Sequence, residues 1–196
     1  ELLWQDPASG RRLRRQEELP FFRGQVRRVL GRSERVDPLS IRSYIASGGY
    51  AAAAAVLEAG DPAAVRREVR ESGLRGRGGA GFPTGRKWSM AASTPARQRF
   101  AACNGDESEP GTFKDRLLLE GDPLAVLEGM ALAGYAIGAR RGFLYVRGEY
   151  PRAQGILARA IEATRQAGYL GRGILGTDFA FEVELRSGAG AYICGE

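Results

Sequence analysis

The sequence predicts an α/β fold in which short N-terminal helices precede a parallel β-sheet. Aspartate followed by proline, a common helix start, recurs ahead of alanine-rich and amphipathic segments. Further along, short runs rich in β-branched and aromatic residues alternate with longer helical patterns. Because strand, helix, strand, helix, strand is the order produced by crossover connections, these segments predict a parallel sheet.

Composition sets the first limits on function. The chain has 196 residues, 43% of them hydrophobic, enough to bury one good core. No apolar run approaches the roughly 18 residues of a membrane span, and the N-terminus lacks the pattern of a secretory signal. Histidine is absent, which excludes histidine-based triads, metal ligands and general bases within these residues. Cys103 and Cys194 suit neither a disulfide framework nor, alone, an iron–sulfur cluster, so a cytoplasmic setting is expected.

The net charge of +6 raises the question of a nucleic-acid partner. All but two of the 29 basic residues are arginines, and only residues 11–15 form a basic cluster. This skew indicates a general preference for arginine over lysine, so we expect no nucleic-acid interface. The two lysines, Lys87 and Lys114, lie in a glycine-rich segment and an acidic segment respectively, where a compact ammonium group would be useful.

The N-terminal part divides into two predicted regions. Residues 1–35 are polar and arginine-rich and are interpreted as an arm or linker. Residues 36–75 are predicted to be a helical lead-in that ends at the glycine-rich segment. Its three helices are predicted over residues 39–46, 50–59 and 62–71.

Residues 76–196 are predicted to form one domain around the sheet. Its strands are predicted over residues 100–104, 143–147 and 179–185, and its helices over 122–137 and 150–167. The loops after the strands are glycine-rich or acidic. Since ligands bind at the carboxyl ends of strands in such sheets, these loops are the first candidates for a site.

The first candidate loop holds six glycines in residues 73–85. Residues 76–81 match G-x-G-x-x-G, but a predicted helix precedes them and Pro83 is expected to interrupt any helix that follows, unlike a standard dinucleotide fingerprint. Glycines allow backbone amides to approach a ligand closely, while Phe82 offers a stacking face and Lys87 a charge. A flexible linker is the alternative, although linkers seldom carry such residues.

The second and third candidate loops each follow a predicted strand. The run CNGDESEPGTFKDR places three carboxylates, Asp106, Glu107 and Glu109, beside Asn104. It could be a solvated acidic turn, a metal site without further ligands, or a set of polar contacts to a sugar. The run GAGAYICGE could be a plain turn, or it could line the edge of a planar ring through its Tyr and Glu.

These three runs together, with the connecting stretch EGMALAGYAIGA, closely resemble the family of NADH-binding FMN flavoprotein subunits. That family comprises the 51 kDa-type subunit of complex I and homologous subunits of NAD-linked hydrogenases and formate dehydrogenases. The resemblance covers residues 37–196 and implies a Rossmann-like FMN/NADH-binding domain over 76–196. It also implies that the chain is truncated, because the rest of the flavin site, a ubiquitin-like domain and a helical domain with a 4Fe–4S cluster would follow.

The resemblance also implies site residues, position by position. Those expected to contact FMN are Gly76, Lys87, Asn104, Asp106, Glu107, Tyr192, Gly195 and Glu196. Those expected to face NADH are Gly78, Gly79 and Phe82, and Arg77 and Gly190 complete the cofactor-binding set. Glu109 would lie close to the nicotinamide and is the candidate catalytic residue. Two positions depart from the family: Gly105 replaces a more usual Ala, and Met90 replaces an aromatic residue, which would weaken stacking on adenine.

The implied activity is NADH oxidation by hydride transfer to bound FMN, with onward electron transfer to iron–sulfur clusters. The implied partners are a thioredoxin-like two-iron ferredoxin subunit and further iron–sulfur subunits of a larger complex, which could be peripheral on the cytoplasmic face of the inner membrane. Any iron–sulfur cluster is expected in the missing C-terminal part or in those subunits. The identity of the complex and the preference for NADH over NADPH stay open. The alternative is a non-catalytic nucleotide-binding or assembly fragment that does not retain FMN.

Overall fold

A computed structural model describes residues 3–33 and 35–195, apart from the side chain of Gln16, and divides after Gly31 into two units. The first unit is small. It contains an antiparallel pair of two-residue strands, a 3₁₀ turn and a single helical turn: β1 (Trp4–Gln5), β2 (Arg12–Leu13), Gln16–Glu18 and α1 (Pro20–Arg23). Among the described residues, no helix is long and apolar enough to cross a membrane.

The second unit is built on a three-stranded parallel sheet in the order β3-β4-β5. The strands are β3 (Phe100–Gly105), β4 (Arg141–Val146) and β5 (Glu182–Ser187). The helices are α2 (Ile41–Ala46), α3 (Ala51–Ala59), α4 (Pro62–Glu71), α5 (Thr84–Ser93), α6 (Lys114–Gly121), α7 (Pro123–Ile137) and α8 (Pro151–Gln166). Two 3₁₀ turns complete the unit, Ile174–Gly176 and Tyr192–Gly195. The predicted α/β class with a parallel sheet is therefore confirmed.

The main core lies between the sheet and the helices that follow its strands. Leu127 of α7, Leu144 of β4 and Leu157 of α8 are fully buried, and so is Phe181 just before β5. Gly134 on α7 makes room for the Phe181 ring, because a Cβ atom there would overlap it. Phe181 also exchanges backbone hydrogen bonds with Gly171, which explains why β5 starts later than predicted.

The lead-in helices appear where the sequence predicted them, with one shift at the start. The hydroxyl oxygen of Ser40 accepts the amide of Ser43 at 3.1 Å, so Ser40 caps the first helix and α2 begins at Ile41. The aspartate at the expected start, Asp37, instead accepts the amide of Leu39 in a local turn.

The helix α3 begins without a cap of its own. Its first flanking residue, Tyr50, has a positive φ of 60° and provides no side-chain hydrogen bond to the helix. The carboxylate of Glu128, in the middle of α7, accepts the amides of Tyr50 at 3.0 Å and Ala53 at 3.3 Å, and the hydroxyl of Tyr44 at 2.6 Å. A buried glutamate from another element thus caps this helix and ties the lead-in to the sheet domain.

The expectation that Pro83 interrupts a following helix is wrong. Pro83 lies immediately before α5 at the N-cap position, with φ −63° and ψ 116°. Proline is tolerated at a helix start because the amide it lacks would have no partner inside the helix there. The sequence analysis predicted neither α5 nor α6, and each of these two helices begins next to a candidate loop.

Candidate functional site

A cleft of about 550 Å³ opens at the carboxyl end of β3. All three candidate loops contribute to it, although they lie far apart in the sequence. The lining residues are Arg77, Gly78, Gly79, Asn104, Asp106, Glu107, Ser108, Glu109, Thr112, Lys114, Asp115, Tyr192 and Gly195. This size and this position at the end of a parallel strand are typical of a ligand site.

The glycine-rich loop closes on itself at its base. The amide of Gly76 donates to the carbonyl of Phe82 at 2.9 Å, and the amide of Thr84 donates to Leu74 at the same distance. At the tip, Gly79 has φ 118°, a conformation that favours glycine, and a Cβ atom there would meet no neighbouring atom within 4 Å. The tip of the loop therefore presents backbone to open space in the cleft.

The acidic loop is organised around Asp106, which is 8% exposed. Its amide donates to the side-chain oxygen of Asn104 at 3.0 Å, and its carboxylate accepts the hydroxyl of Ser108 at 2.7 Å. The side-chain amide of Asn104 donates to the carbonyl of Gly195 at 3.0 Å. These bonds fix the direction of the loop as it leaves β3 and join it to the third loop.

Glu107 lines the cleft, but its carboxylate is directed into the protein. One carboxylate oxygen accepts the amide of Asp115 at 3.0 Å, while the other accepts the amide of Arg116 and the hydroxyl of Tyr150, each at 3.2 Å. The side chain is only 2% exposed, and the ammonium of Lys114 lies 3.8 Å away. Since the N-cap residue of α6 offers no side-chain hydrogen bond, Glu107 caps this helix from outside it.

The third loop returns from β5 across the end of the sheet. A Cβ atom on Gly195 would lie 2.6 Å from the carbonyl oxygen of Asp106, so only glycine allows this close approach. The hydroxyl of Tyr192 donates to the carboxylate of Glu109 at 2.6 Å. This bond connects the third loop to the acidic loop on the open side of the cleft.

Two groups near the site have raised pKa values. The hydrogen bond with Cys194, followed by burial, raises the pKa of Tyr145 to about 12. Burial raises the pKa of the Cys103 thiol to about 11. Both groups are therefore neutral at physiological pH, and neither supplies charge to the cleft.

The structure brings most of the predicted site residues together. Those in the cleft lining are Arg77, Gly78, Gly79, Asn104, Asp106, Glu107, Glu109, Tyr192 and Gly195. Those outside the lining are Gly76, Phe82, Lys87 and Gly190. Gly76 forms the base of its loop, and the ring of Phe82 lies within 6 Å of the cationic groups of Arg86 and Lys87. Glu196 lies outside the described residues.

Four lining residues were absent from the predicted set: Ser108, Thr112, Lys114 and Asp115. All belong to the acidic run, whose second half contains the unpredicted start of α6. Recognising that helix from the apolar residues that follow Asp115 would have directed attention to them. Within residues 3–33 and 35–195, no group of three cysteine, aspartate or glutamate side chains is placed to hold a metal ion.

The fold and the cleft define a class: an α/β protein with a cleft between three loops at the carboxyl end of a parallel sheet. Residues 69–196 match the model of the Nuo51 FMN-binding domain. The chain therefore belongs to the Nuo51 FMN-binding domain family, and the family inferred from its motifs is confirmed.

Several relatives are similar over most of this chain. The HndC subunit of an NADP-reducing hydrogenase, from Solidesulfovibrio fructosivorans, is 53% identical over 82% of this chain and 32% of its own length. A subunit of the NADH-quinone oxidoreductase of Aquifex aeolicus is 48% identical over 86% of this chain and 39% of its own length. An NAD⁺-reducing [NiFe]-hydrogenase in the air-oxidised state superposes with a TM-score of 0.61 at 37% identity, over 88% of this chain and 26% of its own. The chain thus spans about a third of the length of the curated relatives it matches.

Proposed function

We propose that this chain provides the FMN- and NADH-binding cleft of an oxidoreductase subunit that oxidises NADH. One observation carries the proposal: three loops with the family's motifs line a single cleft at the carboxyl end of β3. The bond between Tyr192 and Glu109 is the most direct sign that separate motifs serve one site. A set of unrelated surface loops would not be expected to converge in this way.

The residues present fit FMN. The glycine-rich tip offers backbone with open space in front of it, as a planar ring or a phosphate requires. Asn104 and Asp106 offer polar groups that suit the hydroxyls of a ribityl chain. Arg77 and Lys114 place cationic groups in the lining, and the ammonium of Lys114 is held there by the carboxylate of Asp115 at 2.7 Å.

When bound, FMN supplies a ring that accepts hydride from NADH and releases electrons singly, and the protein supplies position and charge. Glu109, oriented by Tyr192, would accept a hydrogen bond from the nicotinamide of a bound NADH. Asp106 would contact the ribityl chain, and Glu107 holds the start of α6, whose first residue Lys114 lines the cleft. No histidine exists in the sequence, and hydride transfer to a flavin needs no imidazole proton shuttle.

The onward path of the electrons follows from the same proposal. We place the subunit in a multisubunit NADH dehydrogenase, hydrogenase or formate dehydrogenase, beside a thioredoxin-like two-iron ferredoxin subunit and further iron–sulfur subunits. The complex would be cytoplasmic or peripheral on the cytoplasmic face of the inner membrane. We infer NADH as the electron donor, and NADPH is the comparison to run, because one relative is named as NADP-reducing.

The test begins with FMN binding by the purified chain. Titration with FMN should quench flavin fluorescence at a one-to-one stoichiometry, and the loaded chain should reduce ferricyanide with NADH. Glu109→Gln should retain FMN but lower NADH-dependent turnover at least about tenfold, the loss typical of an oriented polar contact. Glu58→Gln, an exposed change on α3, is the matched control and should leave turnover unchanged. A colourless chain with no FMN binding and no turnover would favour the non-catalytic assembly fragment instead.

A further inference from the structure

The loop that follows β4 contacts the acidic loop from outside the cleft. Residues 147–150, all of them described by the structure, form this β4–α8 loop and are absent from the cleft lining. The guanidinium of Arg147 donates through Nη1 to the main-chain carbonyl of Glu107, 40 residues earlier in the chain. A side chain that does not line the cleft therefore holds the backbone of a loop that does.

The guanidinium of Arg147 is itself held in one orientation. Its Nε and Nη2 atoms donate to the two carboxylate oxygens of Glu149 at 3.2 and 2.9 Å. The ring of Tyr150 lies beside it, with 5.2 Å between the ring centroid and the guanidinium carbon. The remaining nitrogen, Nη1, is the one that donates to Glu107. A two-point contact with a carboxylate fixes the plane of an arginine, and the single ammonium of a lysine cannot reproduce it.

The carbonyl that Arg147 contacts belongs to the peptide group between Glu107 and Ser108. Because a peptide group is planar, a fixed carbonyl direction also fixes the direction of the Ser108 amide. That amide donates to the carbonyl of Asp106 at 3.0 Å, which closes a tight turn centred on Glu107. The next residue along the chain is Glu109. Arg147 thus fixes the backbone at the point where the chain leaves the turn towards Glu109.

The two cleft carboxylates on either side of this turn are anchored differently. Asp106 comes before the turn and is fixed by hydrogen bonds with Asn104 and Ser108. Glu109 comes after the turn, is exposed, and accepts the hydroxyl of Tyr192 from the third loop. Since one exposed hydrogen bond is a modest constraint, the direction of Glu109 also depends on the backbone that precedes it.

An ion pair that only stabilises the fold is the alternative role for Arg147. Its partner Glu149 is two residues away and its side chain is 52% exposed, and exposed pairs contribute little to stability. The bond to the carbonyl of Glu107 differs, because it connects two loops that are distant in the sequence. The contacts of Arg147 therefore point to the direction of the acidic loop as its main effect.

We propose that Arg147 is a positioning residue that directs Glu109 into the cleft through the carbonyl of Glu107. The inference rests on the proposed function, in which Glu109 contacts the nicotinamide of NADH. It predicts a selective defect. Loss of the guanidinium should leave the FMN contacts of Asp106 in place, because that residue is anchored before the turn, and should impair the reaction with NADH.

Hydrogen exchange of the ligand-free chain, followed by NMR, tests the contact without FMN or NADH. In Arg147→Met the amide of Ser108 should exchange at least about tenfold faster, because the turn that protects it is released. Arg159→Met, an exposed change at a side chain that bonds within α8, is the matched control and should exchange like the parent. Arg147→Lys keeps the charge without the two-point contact and should show the same faster exchange if the methionine variant does not fold. Unchanged exchange at Ser108 would overturn the proposal.

The FMN-loaded chain tests the effect on Glu109. Arg147→Met should bind FMN within about threefold of the parent but reduce ferricyanide with NADH about tenfold more slowly, a loss typical of a displaced polar contact. In the Glu109→Gln background the same substitution should lower turnover by less than about twofold, since the residue that Arg147 positions is already changed. Multiplication of the two losses, or an equal loss of FMN affinity, would assign Arg147 a general structural role and refute the proposal. A parent chain that binds no FMN would refute the proposed function, and the exchange of Ser108 would still decide whether Arg147 fixes the turn.

Discussion

The clearest quantitative prediction concerns Glu107, the acidic residue whose carboxylate is directed into the protein. Replacement by Gln keeps the shape of the side chain but removes its charge and one of its acceptor oxygens. Two backbone amides of α6 and the hydroxyl of Tyr150 now donate to that carboxylate, and the residue is 5% exposed. These groups compete for one remaining oxygen in the variant, so at least one buried donor loses its partner.

The magnitude follows from the hydrogen bonds that the substitution breaks. Removing a helix cap costs about 1 kcal/mol. An unsatisfied buried donor costs a further 1–3 kcal/mol, roughly. We therefore expect Glu107→Gln to lower the free energy of unfolding by about 2–4 kcal/mol. Glu107→Ala, which removes every contact of the carboxylate, should lower it by roughly 3–5 kcal/mol.

Equilibrium urea unfolding, followed by far-UV circular dichroism, measures this loss. Glu109→Gln is the internal control, because Glu109 lies two residues away in the same loop but is exposed. Its effect on unfolding should stay within about 0.5 kcal/mol, as for other surface changes. Equal losses in the two variants, or no loss in Glu107→Gln, would refute the assignment of Glu107 to the protein interior.

Three further predictions concern other contacts. Gly195→Ala should weaken FMN binding at least about tenfold, because its Cβ atom would force the third loop away from Asp106. Gly129→Ala, where a Cβ atom meets no neighbour, is its control and should leave FMN fluorescence titrations unchanged. At pH 8 the exposed Cys194 should react with iodoacetamide. Cys103 should stay unmodified until the chain is unfolded, because burial raises the pKa of its thiol to about 11. Mass spectrometry of the labelled peptides distinguishes the two cysteines. Glu128→Gln should lower the free energy of unfolding by about 2 kcal/mol in the same urea assay, because Glu128 caps α3. A loss no larger than that of the surface variant Glu58→Gln would contradict this role of Glu128.

Local signals predicted the regular parts of this fold well. Helices α2 and α4 start at capping residues that act within one turn, α3 ends at a glycine, and the strands have apolar runs that a short window detects. Helix α5 was missed because Pro83 was interpreted as a breaker, although proline at a helix start is favourable. Helix α6 was missed because its cap, Glu107, precedes it by seven residues and reaches it only through the folded loop.

In the candidate site, too, the features that depend on neighbouring residues were predictable from the sequence, and those that depend on distant residues were not. The sequence could identify the three loops, since glycine and acidic residues cluster in each of them. It could not show that Lys87 lies outside the cleft lining while Lys114 lies within it, because that depends on where α5 and α6 begin. Nor could it separate the roles of neighbouring carboxylates. Their partners, among them Tyr150 and Tyr192, lie more than 40 residues away along the chain.

The carboxylates of the acidic loop therefore have two different roles, contacts within and between the loops of the cleft and capping of a helix, which the sequence motif does not distinguish. Asp106 accepts the hydroxyl of Ser108 within the loop, Glu109 accepts the hydroxyl of Tyr192 from the third loop, and Glu107 stabilises the start of α6. Glu128 stabilises the start of α3 in the same way, from the middle of α7. In both places the helix has no side-chain cap of its own, so its free amides donate to a buried carboxylate from a distant element. Such a contact forms only when both elements are in place, and it makes the geometry of the cleft depend on the folding of the whole sheet domain.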